Sequence, residues 1–186
     1  RIHAGNGALL AEYATQKRVF VPINVIPKKV INAFISAEDK DFYDHFGIDL
    51  MATLRALITN IKNIGTTKRL IGASTITQQV AKNFLLTSEV SYERKIKEAI
   101  LAIRIERAFT KNEILELYLN EIYLGFKSYG VAAAALNYFD KSLDNLDLSE
   151  AAFLAALPKA PNNYNPIYKK NQALIRRNWV LSQMSK

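Results

Sequence analysis

The sequence predicts one mainly α-helical domain that opens with a short β-hairpin, and three observations support this fold class. The chain has 186 residues, the size of one ordinary domain, and 49% of them are hydrophobic, which is enough for a core. After Pro27, apolar residues recur at helical spacing almost to the end of the chain. Before it, Asn6 and Gly7 form a turn signal between short arms, and "RVFVP" at 18–22 reads as a short strand.

Glu38 continues the apolar stripe of the first predicted helix, which comprises Val30, Ile31, Phe34 and Ile35. Its carboxylate is therefore expected where the helix meets the core or a cleft. Desolvation there raises a carboxyl pKa towards the range of a general base. The alternative is that Glu38 and the next acid are exposed residues at a fraying helix end, which an isolated acidic pair favours. His45 follows in a loop and is interpreted as a structural hydrogen-bonding residue, with Phe42 and Phe46 as the loop's expected anchors.

Two amphipathic helices are predicted next. The first covers 48–65 and ends at Gly65, with Arg55 and Lys62 among its apolar residues. The second covers 74–86, with Ser74 or Thr75 as its N-cap. Its polar side carries Ser74, Gln78 and Lys82 at every fourth position, with Gln79 and Asn83 beside them. Hydroxyls at a helix N-terminus followed by a lysine suit phosphate oxygens, although an amphipathic helix with a good cap gives the same pattern.

The helix predicted over 92–109 has apolar residues on more than one side, so it is expected in the middle of the fold. Glu98 lies on one of its apolar stripes, one turn after Arg94 and Lys95. This arrangement is either an ordinary salt bridge or one wall of an anion-binding cleft, and the motif alone favours the salt bridge.

The remaining segments predict further helices. Thr110 and Glu113 form a capping box for a helix that stops at Gly125. The alanine-rich stretch 130–139 indicates close helix packing, and helices are also predicted before Pro158 and at the end of the chain.

Composition limits the partners and cofactors. The chain has 25 Lys and Arg against 17 Asp and Glu, a formal charge of +8, which favours anionic partners such as nucleic acid, acidic lipid or pyrophosphate. It has no cysteine and two histidines, which excludes disulfides and thiolate sites and disfavours a zinc site. No run approaches the ~18 to 20 apolar residues that span a bilayer, so the chain as given is expected to be soluble or membrane-peripheral. Because it begins abruptly on "RIHAGNG", it is expected to be a piece of something longer.

Taken together, five segments in order resemble the peptidoglycan glycosyltransferases, specifically the glycosyltransferase domain of class A penicillin-binding proteins. The fourth and fifth motifs match "KNEILELYLNEIYLG" and "AAALNYFDK". The first three motifs, ED-x-x-F-x-x-H-x-G, G-x-S-T-I-T-Q-Q-x-x-K-N and R-K-x-x-E, are matched by Glu38, Asp39, Phe42, His45 and Gly47, then by Gly72, Ser74, Thr75, Ile76, Thr77, Gln78, Gln79, Lys82 and Asn83, then by Arg94, Lys95 and Glu98.

Two positions depart from the family pattern. The family commonly has a second glycine where this chain has Ala73, which fits if the backbone there is not at positive φ. Many relatives carry a basic residue before the third motif, where this chain has Val90, so one phosphate contact of the family is not carried over.

The resemblance implies a lysozyme-like helical domain over 1–186, with an N-terminal hairpin segment at 1–26 and a membrane-proximal lobe at about 48–71. An interfacial helix suits the lobe, although a core-packing helix gives a similar pattern. A transmembrane anchor and a transpeptidase domain are expected to flank the segment in the full-length protein. The implied location is the periplasmic face of the bacterial cytoplasmic membrane.

The implied activity is polymerisation of lipid II into glycan strands, with inversion and release of undecaprenyl pyrophosphate. Glu38 is expected to deprotonate the acceptor 4-hydroxyl, and Glu98 to position cations or assist at the pyrophosphate. Asp39, Phe42, His45, Gly47 and Gly72 are expected to be structural. The implied substrate and pyrophosphate contacts are Ser74, Thr75, Gln78, Gln79, Lys82, Asn83, Arg94 and Lys95.

The expected partners are lipid II, the growing lipid-linked strand, the membrane surface and phosphoglycolipid inhibitors such as moenomycin, with no nucleic acid. No cofactor is expected to be obligatory, and a divalent cation, Mg or Mn, is expected only through the substrate pyrophosphate. Two alternatives stay open: a lysozyme-like glycan hydrolase, and a non-catalytic basic module that binds membrane or nucleic acid.

Overall fold

The computed structural model describes residues 2–3, 9–11, 17–65, 72–85 and 91–186, and this part of the chain is mainly helical, as predicted. Two single-turn 3₁₀ helices, Ile23–Val25 and Leu143–Asn145, supplement the α-helices. The α-helices are α1 (Lys28–Glu38), α2 (Leu50–Lys62), α3 (Ile76–Leu85), α4 (Tyr92–Ala108), α5 (Lys111–Glu121), α6 (Val131–Phe139), α7 (Leu148–Ala156) and α8 (Lys170–Met184).

Among the residues that the structure describes, four short strands form two small sheets. The predicted N-terminal hairpin is confirmed, because β1 (Ile2–His3) pairs antiparallel with β2 (Leu9–Ala11). Its predicted turn at residues 6 and 7 lies outside the described residues. The other sheet pairs β3 (Lys17–Arg18) in parallel with β4 (Ser128–Tyr129).

The strand predicted at 18–22 ends early, and a side chain explains why. The Val21 amide donates to Asn120 Oδ1 at 2.8 Å, and Asn120 Nδ2 donates to the Val21 carbonyl at 2.9 Å. The Asn120 amide thus satisfies both backbone groups that a neighbouring strand would otherwise bond. Chain direction before α1 is therefore set by a buried side chain of α5.

The core is built by α1, α7 and α8, with α3 and α5 beside them. The α7 helix is buried from Ala151 through Ala156, and it packs on both α1 and α8. The α6 helix buries four consecutive alanines, which confirms the predicted close packing. At its start, Gly130 has φ +79, and a Cβ there would lie 2.4 Å from the Asn120 carbonyl oxygen. Only glycine fits that approach.

The prediction that α4 lies in the middle of the fold is wrong. One of its faces buries Ala102 and Ile105, and the helix packs on α3 and α5. Ile96, Ile100 and Ile103 lie on the opposite face and are 62%, 48% and 36% exposed in the described structure. Apolar residues on two sides of a helix therefore do not require two buried sides.

The α2 helix turns its apolar residues outward. Asp49 caps it by accepting from the Ala52 amide at 2.7 Å, and Ala56 is its buried residue. The sequence also allowed a helix whose apolar face packs on the core. Among the residues that the structure describes, α2 is not packed in that way. Its exposed apolar side chains, with that of the following turn, are Leu50, Met51, Leu54, Leu57, Ile58, Ile61 and Ile64.

The capping box predicted for α5 is confirmed, because Thr110 accepts from the Glu113 amide while Glu113 accepts from the Thr110 amide. The helix ends at Glu121, four residues before the predicted stop. Gly125 instead forms the following turn, with φ +86. None of the described helices is both long and apolar enough to cross a bilayer.

Candidate active site

Glu38 is the last residue of α1 and is held by an uncharged partner. Gln79 Nε2, on α3, donates to Glu38 Oε2 at 2.8 Å. Burial raises the pKa of the Glu38 carboxyl above its ordinary value of 4.5. The Gln79 hydrogen bond and the charges of Arg176 and Lys159 act against this increase in pKa, and Asp39 adds to it. The carboxylate is therefore poised to accept a proton.

Asp39 joins the end of α1 to the start of α3. Its buried carboxylate accepts from the Ile76 amide at 2.9 Å and from His45 Nε2 at 2.9 Å. His45 Nδ1 accepts from the Gly47 amide at 3.2 Å, which assigns the ring proton to Nε2. The structure therefore places His45 in a bracing network between the loop and Asp39.

The loop after α1 is clamped against α4 and α5. Lys111 Nζ lies 4.5 Å from the centre of the buried Phe42 ring and donates to the His45 carbonyl at 2.6 Å. Gly47 has φ +88, and a Cβ there would lie 2.8 Å from the Ala102 carbonyl oxygen. The prediction that Phe46 also anchors the loop is wrong, because its side chain is 84% exposed.

Thr75, rather than Ser74, caps α3. Thr75 Oγ1 accepts from the Gln78 amide at 3.1 Å, and Gln78 Oε1 accepts from the Thr75 amide at 3.0 Å. Thr75 Oγ1 also donates to the Gly47 carbonyl at 2.6 Å. Both side chains are buried and used by these bonds. Of the residues predicted to contact substrate, Thr75 and Gln78 therefore position α3 in this structure.

Glu98 is more deeply buried than Glu38 and has a charged partner. Lys95 Nζ lies 2.5 Å from Glu98 Oε1 and donates to Ser74 Oγ at 2.9 Å. Glu98 Oε2 is buried without a hydrogen-bond partner in the described structure, and so is Arg94 Nε. Lys95 thus links α4 to the start of α3. Glu98 Oε2 and Arg94 Nε are left able to bond a substrate group.

A cavity of about 320 Å³ opens beside Gln79, and the exposed Lys82 and Asn83 line it. Gln79, the hydrogen-bond partner of Glu38, is thus shared between the acid and this cavity. The other lining residues are Arg18, Glu121, Ile122, Tyr123, Tyr129, Pro158 and Pro161.

The α3 helix connects the two acids, since Gln79 contacts Glu38 while Ser74 contacts the lysine that holds Glu98. No hydrogen bond or ion pair joins Glu38 to Glu98 directly within the described residues. Gly72 lies at an exposed position where a Cβ would meet open space. Ala73 is not at positive φ, as its substitution for glycine requires, and Val90 lies outside the described residues.

Sequence reasoning missed three residues around Glu38. Tyr118 on α5 has a buried hydroxyl without a described partner, and burial followed by the charges of Glu38 and Asp39 raises its pKa. Lys159 follows α7, and Arg176 lies on α8. Arg176 continues the buried stripe of Ala173 and Val180, so the rule that found Glu38 could have found it.

Metal ligands are not clustered in this part of the chain. The described residues contain no group of three His, Cys, Asp or Glu side chains placed to hold a metal ion.

Comparisons with known proteins agree with one another. A family model described as Transglycosylase matches residues 6–185. Penicillin-binding protein 1A of Rickettsia felis is 56% identical over 184 residues, which are 99% of this chain and 23% of that protein. The Escherichia coli protein of the same name is 49% identical over 184 residues, 99% of this chain and 21% of that protein. This chain therefore spans less than a quarter of either relative.

A crystal structure of penicillin-binding protein 1A from Haemophilus influenzae is also similar to this chain. The TM-score is 0.53 with 31% identity, and the match covers 98% of this chain and 17% of that one.

Proposed function

This chain belongs to the transglycosylase family, and we propose that it is a peptidoglycan glycosyltransferase that polymerises lipid II. The observation that carries the proposal is Glu38: its carboxyl has a raised pKa and is held by the neutral amide of Gln79, which lines a cavity together with Lys82. The relatives named penicillin-binding protein 1A support the same function in cell-wall synthesis.

In the proposed reaction Glu38 accepts the proton of the acceptor 4-hydroxyl. The oxygen attacks the anomeric carbon of the growing chain, and a new glycosidic bond forms. The bond from that carbon to the pyrophosphate oxygen breaks, and undecaprenyl pyrophosphate leaves with the electron pair. Attack from the face opposite the leaving group inverts the anomeric centre.

The leaving pyrophosphate requires positive charge, and the site supplies it from two helices. Lys82 lines the cavity from α3, while Arg94 and Lys95 lie on α4. Cations aimed at charge that develops on the leaving group stabilise the transition state more than the ground state. Glu98 orients Lys95, and we assign it this positioning role. A divalent cation, where one takes part, is proposed to arrive on the substrate pyrophosphate.

The contacts of Glu98 favour transfer over hydrolysis. A lysozyme-like hydrolase uses a second carboxyl group that activates water or attacks the sugar. Glu98 is instead bound by Lys95 at 2.5 Å, and neither Lys82 on α3 nor Arg94 on α4 forms an ion pair among the described residues. A pyrophosphate donor makes use of those cations, and a glycan substrate for hydrolysis does not.

The outward apolar face of α2 supports contact with the membrane that holds the lipid substrate. Arg55 lies on the same helix, and Lys62 lies in its last turn, where basic side chains suit acidic headgroups. We propose that this lobe rests on the periplasmic face of the cytoplasmic membrane, and that membrane-anchored full-length protein presents Glu38 to lipid II there. The site would also accept phosphoglycolipids such as moenomycin.

The test incubates the chain with fluorescent lipid II in detergent or vesicles. The proposal predicts a ladder of lengthening strands that moenomycin suppresses. Shortening of preformed glycan instead would identify a hydrolase, and membrane binding without either product would identify a non-catalytic module. Either of those results contradicts the proposal.

A further inference from the structure

We propose that a cavity between α6, α7 and α8 is a docking site for an acidic peptide segment of a partner protein. The segment inserts one apolar side chain into the cavity and places its carboxylates at Lys170 and Arg177, which line it. We call this cavity, which Phe139 of α6, Phe153 of α7 and Leu174 of α8 also line, the α6–α8 cavity. None of its lining residues belongs to the candidate active site or to α2, so the inference does not rest on the proposed function.

Aromatic rings from two helices form an apolar wall of the α6–α8 cavity. The centre of the Phe153 ring lies 5.5 Å from that of Tyr138 and 5.8 Å from that of Phe139, and both pairs meet edge to face. The Tyr138 hydroxyl donates to the Leu124 carbonyl at 2.7 Å, which holds this ring from its other end. The wall is therefore in place without a partner, so docking costs little in ordering the cavity.

The volume of the α6–α8 cavity decides what it can hold. Pockets for drug-sized ligands measure about 300 to 1,000 Å³. This cavity is smaller, at about 230 Å³. It suits one aromatic or branched aliphatic side chain, and such a side chain in a pocket is the usual anchor of a protein interface. We therefore infer a peptide ligand rather than a cofactor.

The surface next to the α6–α8 cavity is apolar as well. Pro166 lines the cavity, and the following Ile167 and Tyr168 are 69% and 81% exposed. Asn165 Oδ1 accepts from the amides of both, at 2.9 Å and 3.2 Å, which fixes this segment. Large apolar side chains held in water beside an apolar cavity indicate a contact surface. A partner can therefore extend beyond its one inserted side chain.

The charges at the α6–α8 cavity favour an acidic partner. Glu150 also lines the cavity, but Lys141 Nζ pairs with its carboxylate at 2.7 Å. Neither Lys170 nor Arg177 forms an ion pair among the described residues, and Arg177 bonds neutral side chains. The lining thus presents two positive charges that no carboxylate compensates. Carboxylates on either side of the inserted side chain would complement them.

Acidic lipid would meet the same two cations, but the shape of the surface favours a peptide. A helix that rests on a membrane does so through a broad apolar face, such as the outward face of α2. The α6–α8 cavity is instead a single recess between three packed helices. We therefore commit to the peptide and make the lipid an outcome of the test.

The first experiment measures binding of the peptide Asp-Glu-Phe-Glu-Asp to the unmodified chain by fluorescence anisotropy. Two peptides with the same label are compared with it: Asp-Glu-Ala-Glu-Asp, which lacks the anchor, and Lys-Lys-Phe-Lys-Lys, which reverses the charge. We expect saturable binding of the first peptide, weakened by salt, and binding about tenfold weaker for the other two. It should shift the methyl NMR resonances of Ala173 and Leu174, which line the cavity. No saturable binding at millimolar peptide, or equal binding of either control, overturns the inference.

A charge reversal locates the binding on the chain. Lys170 is exposed, so Lys170→Glu should fold, and we expect it to weaken the acidic peptide about tenfold and to strengthen the lysine peptide. Lys169→Glu is the matched control, because Lys169 is the preceding residue, is also exposed, and donates to Asn163 outside the cavity. Equal effects of Lys170→Glu and Lys169→Glu overturn the inference. The comparison of peptides needs no variant, so it holds even where Lys170→Glu does not fold.

Three other occupants are distinguished by further measurements, and each overturns the inference if found. Flotation with phosphatidylglycerol vesicles identifies lipid, if Lys170→Glu weakens it more than Lys169→Glu does. Sedimentation velocity identifies a second copy of this chain, if the peptide dissociates a dimer. Loss of peptide binding in the full-length protein identifies another segment of the same polypeptide. None of these measurements needs turnover, so they test the inference even where lipid II polymerisation fails and the proposed function is rejected.

Discussion

Glu38 is half-buried and Glu98 is buried, both next to α3, and the structure surrounds the two carboxylates with different partners. Glu38 accepts from the neutral amide of Gln79, and its nearest cations form no bond with it in the described structure. Glu98 accepts from the Lys95 ammonium at 2.5 Å. An acid that must take up a proton needs the first environment. An acid that must keep its charge and orient a cation needs the second.

The two acids also differ in what depends on them. Lys95 connects Glu98 to Ser74 at the start of α3, so the Glu98 ion pair helps to hold a helix terminus in place. Glu38 accepts one bond from the Gln79 side chain of α3, while Asp39 connects this end of α1 to the α3 backbone and to the loop. Of these two adjacent residues, we therefore assign the proton transfer to Glu38 and the structural role to Asp39.

The largest effect is expected when Glu38 loses its ability to accept a proton. Glu38→Gln should lower the lipid II polymerisation rate by about 10²- to 10⁴-fold, the usual contribution of a positioned general base. The amide can still accept from Gln79, so circular dichroism should show an intact fold. Retention of most of the activity in a folded Glu38→Gln protein would reject the assignment of the base.

Removal of Lys95, the cation that pairs with Glu98, should lower the stability of the folded chain. Lys95→Met leaves a buried carboxylate without its donor, which we expect to lower the free energy of unfolding by about 1 to 3 kcal/mol. Urea denaturation measures this change. The double variant Lys95→Met/Glu98→Gln should recover part of the loss, because no buried charge is left unpaired. A double variant less stable than Lys95→Met would show that the ion pair does not carry the effect.

Glu38→Gln should have the opposite effect on stability. The folded pKa of Glu38 is raised above 4.5, so its contribution to stability is fully present below that pH and is lost as pH rises through the folded pKa. An amide does not titrate. We therefore expect Glu38→Gln to unfold with a free energy higher by about 0.5 to 2 kcal/mol at pH 8, the range typical of relieving a strained active site.

That gain should disappear as pH is lowered to 4.5, where Glu38 in the unmodified chain becomes protonated. Urea denaturation of both proteins at the two pH values tests this. A gain that is equal at both values contradicts a buried charge as its cause.

The smallest effect is expected at Glu93, which supplies a control on the same helix as Glu98. Glu93 pairs with Lys97 at 2.6 Å, but both side chains are largely exposed to water. Such pairs contribute little. Glu93→Gln should therefore change neither the polymerisation rate nor the urea midpoint measurably. A loss comparable to that of Lys95→Met would remove the distinction between buried and exposed acids.

The sequence predicted those features that depend on neighbouring positions. Glu38 could be found because its helix stripe is continuous, and the α5 capping box because its two residues are three apart. The close packing of α6 followed from its alanines. In each case the signal lies within one element, so the pattern of residues along the chain was enough to find it.

Features that depend on distant elements could not be predicted in the same way. The outward position of α4 depends on which helices cover it, and its isoleucines do not reveal this. The charge of Arg176 acts on Glu38 because α8 packs against α1, which the sequence pattern of α8 does not show. The bond from the Thr75 hydroxyl to the Gly47 carbonyl joins two segments that are 28 residues apart in the sequence. These outcomes are set by tertiary contacts that no local pattern encodes.

The most direct test of the division between the two acids compares the pH dependence of kcat/KM for the unmodified chain and for Glu98→Gln. We predict that the acid limb of the unmodified chain inflects above 4.5, and that Glu98→Gln lowers the plateau but leaves the inflection in place. An inflection at or below 4.5, or one that Glu98→Gln displaces or removes, would contradict the assignment of Glu38 as the base.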